Sequence, residues 1–358
     1  MKQIYFTPGP AELYPTFYQH LQTALDEQIG SISHRSQKFR DIYKFTDAQL
    51  RTLLNIPDTH GIFFTGSASE VWERLLFNCV EHESFHLVNG SFSRKFYDYA
   101  NSLHKFAHIL EKPFGEGFDY TEIDVPEYAE MICVTHNETS SGVQLRPADI
   151  HKLKRKYPKK LVVVDMVSSA PYPDLDFSLV DSAFFSVQKA FGMPAGLGVW
   201  IASQGCLEKA ERLKKYENLT IGAHHTLPTL WVNYKKFETP ATPNVLFIYI
   251  LGKLAEDFNK IGIDTVRKQT EEKARMLYKF LDGSDAYEPF VQQERHRSQT
   301  VVVTSTKKPS AEVIAAAKSE GMVIGSGYGK FKDSQIRIAN FPATSAEQID
   351  ALITQLQK

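Results

Sequence analysis

Ala183-Phe184-Phe185-Ser186-Val187-Gln188-Lys189-Ala190-Phe191-Gly192 begins as an apolar, strand-like stretch and ends on a lysine just beyond it. Met193-Pro194-Ala195-Gly196-Leu197-Gly198 follows, a Gly/Pro-rich segment that breaks the strand and leaves Lys189 past its carboxyl end. Upstream, Leu161-Val162-Val163-Val164-Asp165 is a second short apolar run, closed by a carboxylate. Further runs of this kind occur at 61–65, 85–88, 131–135 and 197–202, with amphipathic helical stretches between them. Such βα alternation predicts an α/β fold with a mainly parallel sheet covered by helices on both faces. Ligands in such sheets bind at the carboxyl ends of the strands. The segment 66–69, Phe92, Thr139, Asp165 and Lys189 all fall at such ends.

After Pro240-Ala241-Thr242-Pro243 the pattern changes to two long helical stretches, 245–260 and 263–281. We read the first as the link from a large domain (12–244) to a smaller C-terminal α+β domain (245–358), with residues 1–11 packing near the site. The smaller domain has strands expected at 300–304 and 335–338 and helices near 311–319 and 345–355. There is no internal repeat and no low-complexity segment.

The 358 residues suffice for a large core, and 41 basic residues balance 42 acidic ones at a formal net charge of −1. That balance argues for neither nucleic acid nor an anionic membrane as partner. The basic run Lys152-Leu153-Lys154-Arg155-Lys156 reads as a solvated helix end. Cys79, Cys133 and Cys206 have no metal-ligand spacing, so no metal is expected, and their sparse, odd number fits a reducing compartment. No apolar run approaches the ~20 residues of a membrane span, and the first residues lack a signal-peptide pattern. The expectation is a soluble, cytoplasmic protein.

A carboxylate at one strand end and a lysine past a later one are the pair that pyridoxal phosphate requires. The carboxylate keeps the pyridine nitrogen protonated, and the lysine condenses with the aldehyde. Each residue alone also has an ordinary reading, as a strand-end cap or a surface lysine. Thr65-Gly66-Ser67-Ala68-Ser69-Glu70 follows a strand and opens a helix, where small residues and a helix N-terminus favour an anion; an ordinary N-cap looks the same. Phe92 follows a small-residue turn and could stack on a flat ring or simply fill a core. His136-Asn137-Glu138-Thr139-Ser140-Ser141-Gly142 is a turn rich in hydroxyls.

Taken in order, these segments resemble the class V, fold type I, pyridoxal-phosphate aminotransferases, the group of phosphoserine, serine–pyruvate and alanine–glyoxylate enzymes. The resemblance runs from Phe6-Thr7-Pro8-Gly9-Pro10 to Arg337. It implies that Lys189 and Asp165 are catalytic, that Ser67, Ala68 and Ser69 cradle the cofactor phosphate, and that Phe92 stacks on its ring. Thr139 and Gln188 would then contact the cofactor's phenolic oxygen. Glu238-Thr239-Pro240-Ala241-Thr242 resembles a segment whose hydroxyls, here Thr239 and Thr242, reach the phosphate of a partner subunit, so a homodimer with shared sites is implied. Glu238 departs from the family's asparagine, and a carboxylate beside a phosphate must either turn away or forfeit the contact.

Arg337 matches the arginine that binds the substrate carboxylate, for which a guanidinium fork is suited. The Thr7–Pro10 loop matches the one that closes over it. His34 and Arg35, in Ser33-His34-Arg35-Ser36, match a pair that contacts the substrate phosphate in phosphoserine enzymes, although alanine–glyoxylate enzymes carry a similar run. A further His-Arg-Ser ahead of the carboxylate arginine is replaced here by Gly325-Ser326-Gly327-Tyr328-Gly329-Lys330, leaving Lys330 or Arg297 to supply the missing cation. The expected activity is a ping-pong transamination of a small amino acid, leaning to phosphoserine with 2-oxoglutarate. Serine or alanine with glyoxylate or pyruvate is the alternative. A lyase of the desulfurase kind would need a C-terminal cysteine, and none follows Cys206. A cofactor-free binding protein on the same scaffold would have no use for the Asp165, Gln188 and Lys189 set. A nicotinamide dehydrogenase lacks its G-x-G-x-x-G after an early strand.

Overall fold

The computed structural model describes residues 3–358. Its larger sheet has seven strands in the order His60–Thr65, Gly198–Ser203, Ser182–Ser186, Leu161–Asp165, Met131–Thr135, Glu83–Val88 and Phe106–Glu111. Every pairing is parallel except those of Gly198–Ser203, which runs antiparallel to both neighbours. The cause is local: the Gly/Pro-rich segment after Lys189 returns the chain directly, without the helical crossover that a parallel neighbour needs.

The valine run shows how the layers form. Val162 and Val164 point into one core and Val163 into the other, as the two-residue period of a strand requires. Phe185 and Phe184 repeat the division one strand over. On the first face lie the helices Gln37–Leu54 and Val245–Ile261; on the second lie Ala68–Cys79, Ser91–Ser102 and Gln204–Lys215. Each buried Val or Phe contributes roughly 1.5–3 kcal/mol of transfer free energy, so both faces hold the strand ends rigidly. Helix Val245–Ile261 opens with Asn244 Oδ1 accepting from Phe247 N–H at 3.0 Å, and its Ile248, Leu251, Leu254 and Phe258 join the core of the seven-stranded sheet.

The second sheet has five strands in the order Ile4–Phe6, Met322–Ser326, Gln335–Ala339, Val301–Thr306 and Tyr287–Pro289. It packs on the helices Ile263–Asp282 and Ala346–Leu356 through Leu277, Leu281, Ile349 and Leu352. The N-terminal strand pairs in parallel with Met322–Ser326, so the chain crosses from the small sheet to the site within the Thr7–Pro10 loop. Residues 1 and 2 lie outside the described part. Among the described residues no helix is long and apolar enough to cross a membrane.

Candidate active site

Lys189 follows strand Ser182–Ser186 in a turn closed by Gly192 N–H to Lys189 C=O (3.0 Å). The residue as a whole is half-buried, but its amine turns inward and donates to Pro8 C=O at 2.5 Å. Gly9 covers it so closely that a Cβ there would overlap the Lys189 amine, and at φ +128° glycine is also the residue the backbone favours. Burial lowers the affinity of Nζ for its proton to a pKa of about 8; the Arg337 charge pushes the same way, and Asp165 opposes both.

Asp165 ends its strand fully enclosed. Its Oδ2 accepts from the Trp72 indole N–H at 3.0 Å and its Oδ1 from Val167 N–H at 2.9 Å. Burial raises its pKa to about 7 against the downward pull of those donors. Trp72 escaped the sequence reading. The only signal was its place on the apolar face of helix Ala68–Cys79, with Ala68, Val71, Leu75 and Leu76.

The cup at 65–70 stands at the carboxyl end of His60–Thr65 and opens that helix. Ala68 N–H donates to Ser186 Oγ at 2.8 Å, and Gly66 N–H donates to Glu70 Oε2 at 2.9 Å. Glu70 also pairs with His225. These internal bonds leave Ser67 and Ser69, half-buried and exposed, as the open positions. Gly198 backs the cup, where a Cβ would stand 2.5 Å from the Ser67 carbonyl carbon.

Phe92 lies in the first turn of helix Ser91–Ser102. What fixes it is Glu138, fully buried and unremarked in the sequence. Glu138 accepts from Phe92 N–H (3.3 Å), from Ser93 N–H and Oγ (both 2.8 Å), and from Ser140 N–H (3.1 Å) and Oγ (2.6 Å). One carboxylate thus joins the Phe92 loop to the loop of Thr139, itself buried. Gln188 Oε1 is buried and has no hydrogen-bond partner.

Arg337 sits on strand Gln335–Ala339, donating from Nε to Ser326 C=O (2.7 Å) and from NH1 to Thr139 C=O (3.4 Å). Its guanidinium lies over the Tyr328 ring, 5.3 Å from the centroid. The two substitute cations expected from sequence are elsewhere engaged. Arg297 is clamped to Asp282 by two bonds of 2.8 Å and donates to Val291 C=O (3.0 Å). Lys330 is exposed, over the Phe331 ring at 5.2 Å.

Arg35 does not meet Arg337 in this chain. Its NH1 pairs with Glu238 Oε2 at 3.1 Å and its NH2 with Pro240 C=O at 3.5 Å, while Arg40 NH2 reaches Glu238 Oε1 at 2.5 Å. Glu238 is thus neutralised by two arginines of its own chain, and Arg40 and Arg35 hold its carboxyl below the usual range. Thr239 is buried with its hydroxyl donating to Ala241 C=O at 2.8 Å, and Thr242 is exposed. Among the described residues no hydrogen bond or ion pair joins His34, Arg35, Thr239 or Thr242 to Ser67, Lys189 or Arg337.

The enclosed set suits a flat, protonated ring bearing an aldehyde and a phosphate. Asp165 needs a cationic partner, Gln188 has an orphaned oxygen, Lys189 offers a poised amine, and the cup has open hydroxyls. A sequence model of the aminotransferase class-V family matches residues 119–352. A solved phosphoserine aminotransferase from Cytophaga hutchinsonii is 47% identical, with TM-score 0.97 over 99% of this chain and 98% of that one. The phosphoserine aminotransferase of Rhodococcus opacus is 27% identical over 97% of this chain and 92% of its own. An alanine–glyoxylate aminotransferase from Nostoc shares the fold at 19% identity, with TM-score 0.84 over 100% of this chain and 95% of that one. The chain belongs to the class-V aminotransferases, pyridoxal-phosphate enzymes of fold type I that act on amino acids and 2-oxo acids.

Proposed function

We propose that this chain is a pyridoxal-phosphate-dependent phosphoserine:2-oxoglutarate aminotransferase. The observation that carries the chemistry is the Lys189 amine turned inward onto Pro8 C=O, with its pKa lowered to about 8 by burial and by the Arg337 charge. The substrate reading is supported by the 47% identical relative described as a phosphoserine aminotransferase.

When bound, pyridoxal phosphate supplies an electron sink for the bond that breaks at the substrate Cα. Asp165 would hold a proton on the ring nitrogen, and Trp72 would keep that carboxylate oriented. Ser67, Ala68 and Ser69 would cradle the phosphate, with Ala68 acting through shape because its N–H is already bound. Phe92 would lie against the ring, and Thr139 and Gln188 would bond its phenolic oxygen. Arg337 would bind the α-carboxylate as a fork, and Lys189 Nζ would move the α-proton, a task suited to an amine whose pKa lies near the working pH. The Pro8–Gly9 loop, which already covers the Lys189 amine, would exclude water there.

The reading also makes the protein a cytoplasmic homodimer. Arg35 is tied to Glu238 and Pro240 beside Thr239, and no hydrogen bond or ion pair among the described residues joins His34, Arg35, Thr239 or Thr242 to their own chain's Ser67 or Lys189, which suits service to a second copy. The division into domains 12–244 and 245–358 is part of the same reading, with helix Val245–Ile261 anchored in the larger core. A lyase using a mobile cysteine is disfavoured, because Cys79, Cys133 and Cys206 are all buried.

The test is a spectral titration. Protein loaded with pyridoxal phosphate should lose its visible band on addition of phosphoserine and regain it with 2-oxoglutarate. Bleaching by alanine or serine alone would assign the glyoxylate branch, and absence of any band would overturn the cofactor assignment.

A further inference from the structure

We propose that Lys95 is a further cation, beyond the His34–Arg35 pair, that recognises the distal phosphate of the substrate, an inference that rests on the phosphoserine reading of this site. Among the described residues, neither cation expected from sequence contacts Tyr328 or Arg337, since Arg297 is spent on Asp282 and Lys330 lies over the Phe331 ring. A different cation stands near the gap. Lys95, exposed like Lys330, lies three residues after Phe92 on helix Ser91–Ser102, on the same face, and it is Lys95 whose amine meets Tyr328.

No carboxylate pairs with Lys95 among the described residues, whereas its neighbour Arg94 is paired with Glu111. Its amine donates to the Tyr328 hydroxyl at 3.3 Å and lies 5.4 Å from the Phe92 centroid and 5.9 Å from that of Tyr328. The other cation on Tyr328 is Arg337, at 5.3 Å from the same centroid. Phe92 and Tyr328 are tilted together at 5.4 Å and 51°. One aromatic wall thus carries two positive charges, a fork for the α-carboxylate and an unneutralised ammonium one ring away.

The charges come from different parts of the chain. Lys95 belongs to a helix on the seven-stranded sheet, and Tyr328 and Arg337 belong to the five-stranded sheet and the turn beside it. A substrate with an anion at each end would therefore bridge the two units, which a serine or alanine side chain cannot do. A lysine suits this position as a compact point charge on a flexible stem able to follow a phosphate of charge about −1.5 to −2. The hydroxyl and ring contacts park the amine without neutralising it.

The test compares wild type, Lys95→Met and Lys95→Arg as holoenzymes, with phosphoserine, glutamate and alanine as donors at two ionic strengths. Lys95→Met should raise KM for phosphoserine about 10- to 100-fold with a much smaller change in kcat. It should also weaken the salt dependence of that KM, with arginine restoring most of both. Glutamate, whose distal carboxylate carries one charge, should lose less, and alanine nothing. An unchanged phosphoserine KM in Lys95→Met would overturn the assignment while leaving phosphoserine as substrate. An equal loss with alanine would reduce Lys95 to a prop for the aromatic wall and overturn it too. Failure of wild type to use phosphoserine would remove the functional reading itself, and this inference with it.

Discussion

The Trp72 indole N–H donates to Asp165 Oδ2 at 3.0 Å, joining the helix that opens the cup to the carboxylate at the end of strand Leu161–Asp165. A hydrogen bond to an ionised, buried oxygen stabilises the charged form, which is the form a protonated ring nitrogen needs opposite it. Trp72→Phe keeps the packing and removes the donor. We expect the affinity for pyridoxal phosphate at neutral pH to fall about tenfold, the equivalent of one such bond. Fluorescence titration of the apoprotein measures it. Unaltered affinity would mean that Val167 N–H alone suffices.

Asp165 and Lys189 should set opposite pH trends in the stability of the apoprotein. Asp165 keeps its proton up to about pH 7 when folded and loses it near 3.8 when unfolded. Between those values the folded state binds more protons, so this group's contribution to stability falls as pH rises and stays low above 7. Asp165→Asn should abolish that fall, by a few kcal/mol at neutral pH. Superimposed pH–melting profiles of wild-type and Asp165→Asn apoprotein would contradict the expectation.

Lys189 releases its proton near pH 8 when folded and near 10.5 when unfolded. Above 8 the unfolded state therefore binds more protons, and stability rises through that window. At pH 7 the ammonium is simply a buried charge with a cost. Lys189→Met should accordingly melt higher than wild-type apoprotein at pH 7, with the gap closing toward pH 10.5. A lower melting temperature at pH 7 would show that the bond to Pro8 outweighs the burial cost.

Glu138 accepts five hydrogen bonds and ties the Phe92 loop to the Thr139 loop. Glu138→Gln sets an NH2 against N–H donors on one side, leaving at least one buried donor unpaired at about 1–3 kcal/mol. The expected result is a lower melting temperature and cofactor binding weakened about tenfold or more, with Glu138→Ala worse than Glu138→Gln. Equal, wild-type binding by both variants would show that the loops hold each other without the carboxylate.

The residues legible in the sequence were those whose role depends on place along a strand. Asp165 and Lys189 could be proposed from sequence because each follows an apolar run that ends at the carboxyl edge of a mainly parallel sheet. Trp72, Glu138, Tyr328 and Lys95 did not, because their partners are remote: Trp72 meets Asp165 across 93 residues and Lys95 meets Tyr328 across 233. The same distance hid the Arg35–Glu238 pair, whose members lie 203 positions apart. Among strands, Phe106–Glu111 is a half-exposed edge with a histidine in it, and Ile4–Phe6 has three residues, so neither shows a buried run. The reversal of Gly198–Ser203 was written in the Gly/Pro segment, but strand direction is set by the connection rather than by the strand.

The central claim is that Lys189 carries the cofactor. Loading the protein with pyridoxal phosphate, reducing it with borohydride and mapping its peptides by mass spectrometry would locate the pyridoxyl group. We expect a single modified lysine, Lys189, and no modification once phosphoserine has been added before the borohydride. A pyridoxyl group on another lysine, or on none, would contradict the account.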